Sequence, residues 1–148
     1  MRPVKKVSDS FTTQVQVLTQ ANLNGSMRLF GGQLMSWMDI VAAVTARRHS
    51  GYHVTTACVK NLKFRQPAHA DDTVVLTGEV IYVGRTSMEI RVCVYIESLN
   101  GDRELINDAR FVMVALDENE RPIEVSGLQI ETPEQQQLWD EAAAERKK

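Results

Sequence analysis

The sequence predicts an α+β protein of one domain, in which a strongly curved five-stranded antiparallel sheet wraps one long helix and a second helix closes the chain. Two observations carry that prediction. Five stretches have strand character and are separated by turn signals, and the run Gly31 to Val44, inserted after the first of them, is apolar almost all the way round a helix. A helix of that kind is normally buried, and a sheet that folds around it is the simplest way to bury it. The chain of 148 residues has room for one sizeable core, so 1–148 is read as a single domain with a core over about 11–116 and a helical extension over about 133–148.

Residues 11–19 alternate polar and apolar and are rich in β-branched side chains, which predicts the first strand. A loop with Asn22, Asn24, Gly25 and Ser26 leads to the Gly31-Gly32 pair. The helix then runs from about Gly32 to Arg48; basic side chains in its last turn and Gly51 just beyond are favourable stop signals. Four further strands are expected over Val54–Phe64, Thr73–Val83, Ser87–Ser98 and Glu104–Leu116. Pro67 to Asp72, Gly84-Arg85-Thr86 and Asn100-Gly101 mark the turns between them. Thr132-Pro133-Glu134 has the form of a helix start, with proline at the first position. The helix it opens ends in Arg146-Lys147-Lys148. A sheet with two open edges favours pairing with a second copy, so a dimer is expected.

Composition excludes several classes of partner. The formal charge of −2 and the lack of a basic stripe interleaved with aromatics argue against nucleic acid. No uncharged run reaches membrane-spanning length and no apolar signal core follows the basic N-terminus, so the expectation is a cytoplasmic protein with no membrane partner. Cys58 and Cys93 lie in apolar runs and read as reduced core residues. His49, His53 and His69 read as exposed loop residues, and none has a second ligand-type neighbour at metal spacing; no metal is expected.

Within the central helix, Gln33, Ser36 and Asp39 recur every third residue and form one narrow polar stripe. Asp is a poor helix-interior residue, and a carboxylate at an apolar site needs a partner to offset its desolvation. Two readings remain open for Asp39: a structural carboxylate bonded to a neighbouring loop or subunit, or a general base facing a substrate tunnel. Met35, Trp37, Met38 and Phe64 read either as ordinary core or as the lining of an acyl tunnel.

The order strand, long helix, four strands, together with Asn24-Gly25-Ser26-Met27-Arg28-Leu29-Phe30-Gly31-Gly32-Gln33-Leu34-Met35-Ser36-Trp37-Met38-Asp39, resembles the hotdog-fold acyl-CoA thioesterases. Phe64-Arg65-Gln66-Pro67 is similar to the family's Phe-x-x-Pro, and Gly84-Arg85-Thr86-Ser87 to its Gly-x-Thr-Ser turn. Two positions depart from the family: Met27 stands where a glycine is usual, and Ala70-Asp71-Asp72 replaces a Gly-Asp turn.

The resemblance implies hydrolysis of acyl-CoA to free acid and CoA, with no cofactor beyond the CoA that is part of substrate and product. It implies that Asp39 activates water or attacks the thioester itself, and that Asn24, with Asn22 as the alternative, positions the carbonyl or the water. Outward-pointing N–H groups around Gly32 and Gln33, at the positive end of the helix, would form the oxyanion hole. Gly84, Arg85, Thr86 and Ser87 would hold the phosphopantetheine and phosphate part of CoA, though the same turn alone reads as a plain hairpin; Arg65 is a further candidate. Asn24 and Asp39 of one site would come from different subunits of a dimer, which in turn would stand alone or assemble as a trimer of dimers. A non-catalytic acyl-CoA sensor and a thioesterase for acyl carrier protein thioesters are the alternative readings. No histidine lies between residues 20 and 38, where the resemblance would need one for a hotdog dehydratase.

Overall fold

The computed structural model describes residues 2–146; Lys147 and Lys148, at the end of the expected C-terminal helix, lie outside the described residues. The chain runs β1 (Val4–Lys6), α1 (Val7–Ser10), β2 (Thr12–Val17), α2 (Gly31–Ser50), β3 (His53–Phe64), β4 (Thr73–Val83), β5 (Ser87–Glu97), β6 (Arg103–Leu116), β7 (Gly127–Gln129) and α3 (Pro133–Arg146). Strands β2 to β6 form one five-stranded antiparallel sheet in the order β2-β4-β5-β6-β3, and α2 packs across it. This is the hotdog arrangement that the sequence predicts.

Alternation along the central strands builds the core. Met88, Ile90, Val92 and Val94 of β5 stand opposite Met113, Phe111, Ala109 and Asn107 of β6, so all eight point to the helix side of the sheet. Onto them α2 brings Leu34, Trp37, Met38, Val41, Ala42 and Ala46, each less than a tenth exposed. Gly78 in β4 sets the closest approach: a Cβ there would stand 2.5 Å from Thr45 Oγ1 and 2.8 Å from Val41 Cγ1. Only glycine lets the helix lie so near the strand.

Helix α2 stops at Gly51, whose φ of 77° and N–H bond to the Arg47 carbonyl (2.7 Å) make the left-handed cap expected of this residue. Its exposed side is broader than the polar stripe of Gln33, Ser36 and Asp39. In the single chain Met35 and Ile40 are 37% and 50% exposed beside Ser36. The neighbouring edge strand β3 is mostly exposed as well. Cys58 on that strand is exposed, not part of the core. Edge position and the register shift between Thr56 and Cys58 leave its side chain uncovered. Cys93, in the central β5, is buried as expected.

Helix α3 lies on the outer side of the sheet. Its Trp139 stacks on Tyr82 of β4 with centroids 4.4 Å apart, and Ala142 is fully buried. Beneath it, Glu89 is wholly buried and bonds Lys60 at 3.0 Å, while Arg110 lies between Glu89 and Glu141. The short parallel pair of β1 with β7 is an addition that strand periodicity does not predict. His49 is also different from expectation: it is fully buried in the last turn of α2, and its Nε2 meets the Ser126 carbonyl at 2.8 Å. Its pKa is lowered, with burial as the largest cause and the bond to the Ser126 carbonyl acting in the opposite direction.

Candidate active site

The loop before α2 folds on itself. Leu23 bridges Leu29, Asn24 N–H bonds the Arg28 carbonyl at 2.8 Å, and Phe30 N–H bonds the Asn22 carbonyl at 2.8 Å. Asn22 Oδ1 accepts from Thr19 N–H (2.9 Å), so this side chain closes its own turn. Asn24 Oδ1 accepts from the N–H groups of Ser26 (2.8 Å) and Arg28 (3.2 Å), an arrangement that spends the oxygen on the loop and turns the amide NH₂ outward. Met27 takes φ of 63°, so the left-handed conformation usual for a glycine is kept here by a methionine with its side chain 53% exposed. The loop holds Met27 in this conformation at a conformational cost. Asp71, in the other departing segment, likewise has φ of 71°, and Asp72 Oδ2 caps His69 N–H at 2.8 Å; that turn is structural.

Asn24 lines a cavity of about 350 Å³ with Gly31, Leu34, Phe64, Arg65 and Ile106 among its walls. Above it α2 begins without a side-chain cap. Its first internal bond joins Leu34 N–H to the Phe30 carbonyl, which leaves the N–H groups of Gly31, Gly32 and Gln33 without a helical acceptor. The Phe30 ring rests 2.7 Å from where a Cβ on Gly32 would stand, so a larger residue there meets an aromatic ring. Arg65 Nη2 pairs with Asp108 at 2.8 Å, which holds its guanidinium at the rim.

Asp39 does not line this cavity. It is half-buried on α2, and Thr56 Oγ1 on β3 donates to its Oδ1 at 2.6 Å. The hydroxyl also lies 3.4 Å from Met113 Sδ, but with one hydrogen to give it serves the carboxylate. Sequence reasoning does not single out Thr56, the partner of Asp39 in this bond. Of the proposed tunnel residues, Trp37 and Met38 belong to the core, Phe64 walls the cavity, and Met35 faces outward.

The Gly84–Ser87 turn joins β4 to β5. Gly84 N–H bonds the Ser87 carbonyl (2.9 Å), the Thr86 and Arg85 carbonyls accept from Ala115 and Val125, and the Arg85 side chain is exposed. A larger opening of about 650 Å³, at the C-terminal end of α2 beside Arg47, Tyr52 and His53, contains none of the candidate residues. Among the described residues no group of three or more His, Cys, Asp or Glu is placed to hold a metal ion, and no helix is long and apolar enough to cross a membrane.

A single chain thus carries an amide donor with free helix N–H groups in one place and a hydrogen-bonded carboxylate in another. The family model of the thioesterase superfamily matches residues 28–101. The chain belongs to that superfamily. This thioesterase is 39% identical over 128 residues to the uncharacterized acyl-CoA thioester hydrolase YkhA of Bacillus subtilis, across 84% of this chain and 74% of that protein. Among solved structures it superposes on an apo hexameric acyl-CoA thioesterase with a TM-score of 0.93 and 32% identity, covering 98% of this chain and 94% of that one. The acyl-CoA hydrolase of Staphylococcus aureus, solved with butyryl-CoA, CoA and CoA disulfide, matches with a TM-score of 0.92 and 30% identity over 98% of this chain and 90% of that one. Its structure has also been solved with alanine in place of an asparagine, of an aspartate fifteen residues later, and of a threonine seventeen residues after that.

Proposed function

We propose that this thioesterase hydrolyses acyl-CoA to a carboxylic acid and CoA, with Asp39 as the base that activates water. The observation that carries the reading is the Thr56–Asp39 bond of 2.6 Å on the side of α2 that also exposes Met35 and Ile40. The spacings Asn24 to Asp39 and Asp39 to Thr56 are the same fifteen and seventeen residues that separate the three positions changed to alanine in the Staphylococcus aureus hydrolase.

Two copies meet through the exposed side of α2 and the edge strand β3, where apolar side chains and unpaired strand groups lie together. The thioester lies between Asp39 of one protomer and Asn24 of its partner. Water attacks the carbonyl carbon while Asp39 takes its proton. Charge builds on the carbonyl oxygen, where the Asn24 amide and the N–H groups of Gly32 and Gln33 donate to it, aided by the positive end of α2. Collapse breaks the C–S bond, and the proton held by Asp39 passes to the CoA sulfur. Thr56 fixes the carboxylate so that one oxygen stays directed at the water. The Gly84, Arg85, Thr86 and Ser87 turn receives the phosphate end of CoA, and Arg65 stands at the rim of the Asn24 cavity. The dimers assemble further into a hexamer, the state of the apo thioesterase that superposes on this chain.

Thiol release measured with a free-thiol reagent over a series of acyl-CoA chain lengths tests this reading. Wild type is expected to turn over, and Asp39→Asn to lose at least about a hundredfold in kcat while remaining an oligomer. Bound acyl-CoA without thiol release by wild type would refute it.

A further inference from the structure

We propose that the two ends of the chain complete a phosphate site at the Gly84–Ser87 turn, with Arg146 and Arg2 joining Arg85 as the cations that hold the nucleotide phosphates of CoA. The inference rests on the acyl-CoA reading and adds to it two residues outside the turn's own motif. Arg146, at the end of α3, donates from Nη1 to Ser87 Oγ at 3.0 Å and stacks over the Tyr82 ring at 4.6 Å from its centroid. Because Ser87 Oγ accepts from a cation, its own hydrogen is left to point at an anion. Arg2 arrives from the opposite terminus: its Nη2 donates to the Gly84 carbonyl at 2.6 Å, and its Nε donates to the Val125 carbonyl.

Arg146 and Arg2 therefore reach, from opposite ends of the chain, a four-residue turn that itself carries the exposed Arg85. The first two are already held by the protein's own oxygens, so an arriving phosphate does not have to order them. The Trp139–Tyr82 stack sets the base on which Arg146 rests, and so ties the position of α3 to the turn. Gly84 has the same meaning. A Cβ there would stand 2.9 Å from Ser87 Oγ and 3.1 Å from Arg146 Nη1, and would push apart the two groups that close over the turn. Each guanidinium has five donors, and the contacts described use one of Arg146 and two of Arg2.

The test compares acyl-CoA with the same acyl group on pantetheine, which lacks the nucleotide phosphates, in wild type, Arg146→Ala and Arg2→Ala. Arg146→Ala is expected to raise KM for acyl-CoA about tenfold, the effect of one charge-assisted contact, with kcat within about twofold. Its kcat/KM for acyl-pantetheine should stay at the wild-type value. Arg2→Ala, far from α3 in sequence, should move the same ratio in the same direction. Equal losses on both substrates, or no change on acyl-CoA, would overturn the phosphate site while leaving acyl-CoA hydrolysis intact. A wild type that cleaves acyl-pantetheine as well as acyl-CoA would overturn it too. Failure of wild type on both thioesters would instead overturn the acyl-CoA reading and the site with it.

Discussion

Replacing Thr56 by valine removes one hydrogen bond and almost no volume. The lost contact is the 2.6 Å bond from Oγ1 to Asp39 Oδ1, short enough for a charge-assisted O–H···O⁻ interaction. Bonds of that class contribute about 1.5–3 kcal/mol, which at roughly 1.4 kcal/mol per decade converts to a loss of about ten- to a hundredfold if the whole contribution acts on the transition state. The site is partly open in the single chain, which favours the lower end. Thr56→Ser keeps the hydroxyl and should stay within about threefold of wild type. Steady-state thiol release on a short acyl-CoA measures both, with kcat rather than KM carrying the effect, because in the proposed reaction the bond orients the base and does not touch CoA. A valine variant with wild-type kcat, or a serine variant as impaired as valine, would refute the view that this hydroxyl holds the catalytic carboxylate.

Other expectations concern stability. Met27→Gly should stabilise the protein by about 1 kcal/mol, because a methionine at φ of 63° carries the left-handed penalty that glycine lacks. Thermal unfolding should show a rise of about 2–4 °C. Gly78→Ala should cost about 1–3 kcal/mol, since its methyl would overlap Thr45 Oγ1 and Val41 Cγ1 beneath the helix; adding Thr45→Ala should recover part of the loss in the same melt. His49 is buried and its pKa is lowered, chiefly by that burial, so it holds a proton less readily in the folded protein than in the unfolded chain. Its unfolded form gains a proton as pH drops below about 6.5, so stability present above that pH should decline as pH falls towards the folded value. Urea unfolding of wild type and His49→Gln at several pH values should show a shallower acid-side decline in the variant.

Most of the fold is legible in local pattern. β4 has the bounds that its apolar run and flanking turns indicate, and α2 differs by one or two residues at each end, because the signals there are a glycine pair and a left-handed cap. The pair of β1 with β7 is not legible, since three residues carry no periodicity and the partners lie more than a hundred residues apart. His49 reads as a loop residue because basic side chains and Gly51 mark a helix end, yet the last turn of α2 folds under the Ser126 segment. Cys58 reads as core because its neighbours are apolar, whereas only tertiary placement makes β3 an edge. At the site, Asn24 and Asp39 stand out by motif, but Thr56 does not: Thr55 and Thr56 look alike in sequence, and which of them meets Asp39 depends on the register of a strand against a helix.

The claim that one site draws on two chains is tested most directly by mixing variants. Asn24→Asp keeps the loop acceptor for Ser26 and Arg28 but removes the amide donors, and Asp39→Asn keeps the shape of the carboxylate but removes the proposed base. Each alone should fall at least about a hundredfold in thiol release. Co-refolded in equal amounts, half of the dimers are hybrid and each hybrid has one site with both wild-type residues, so activity should return to about a quarter of wild type. Hybrid dimers that form and remain as inactive as their parents would contradict a site shared between the partner's Asn24 and Asp39.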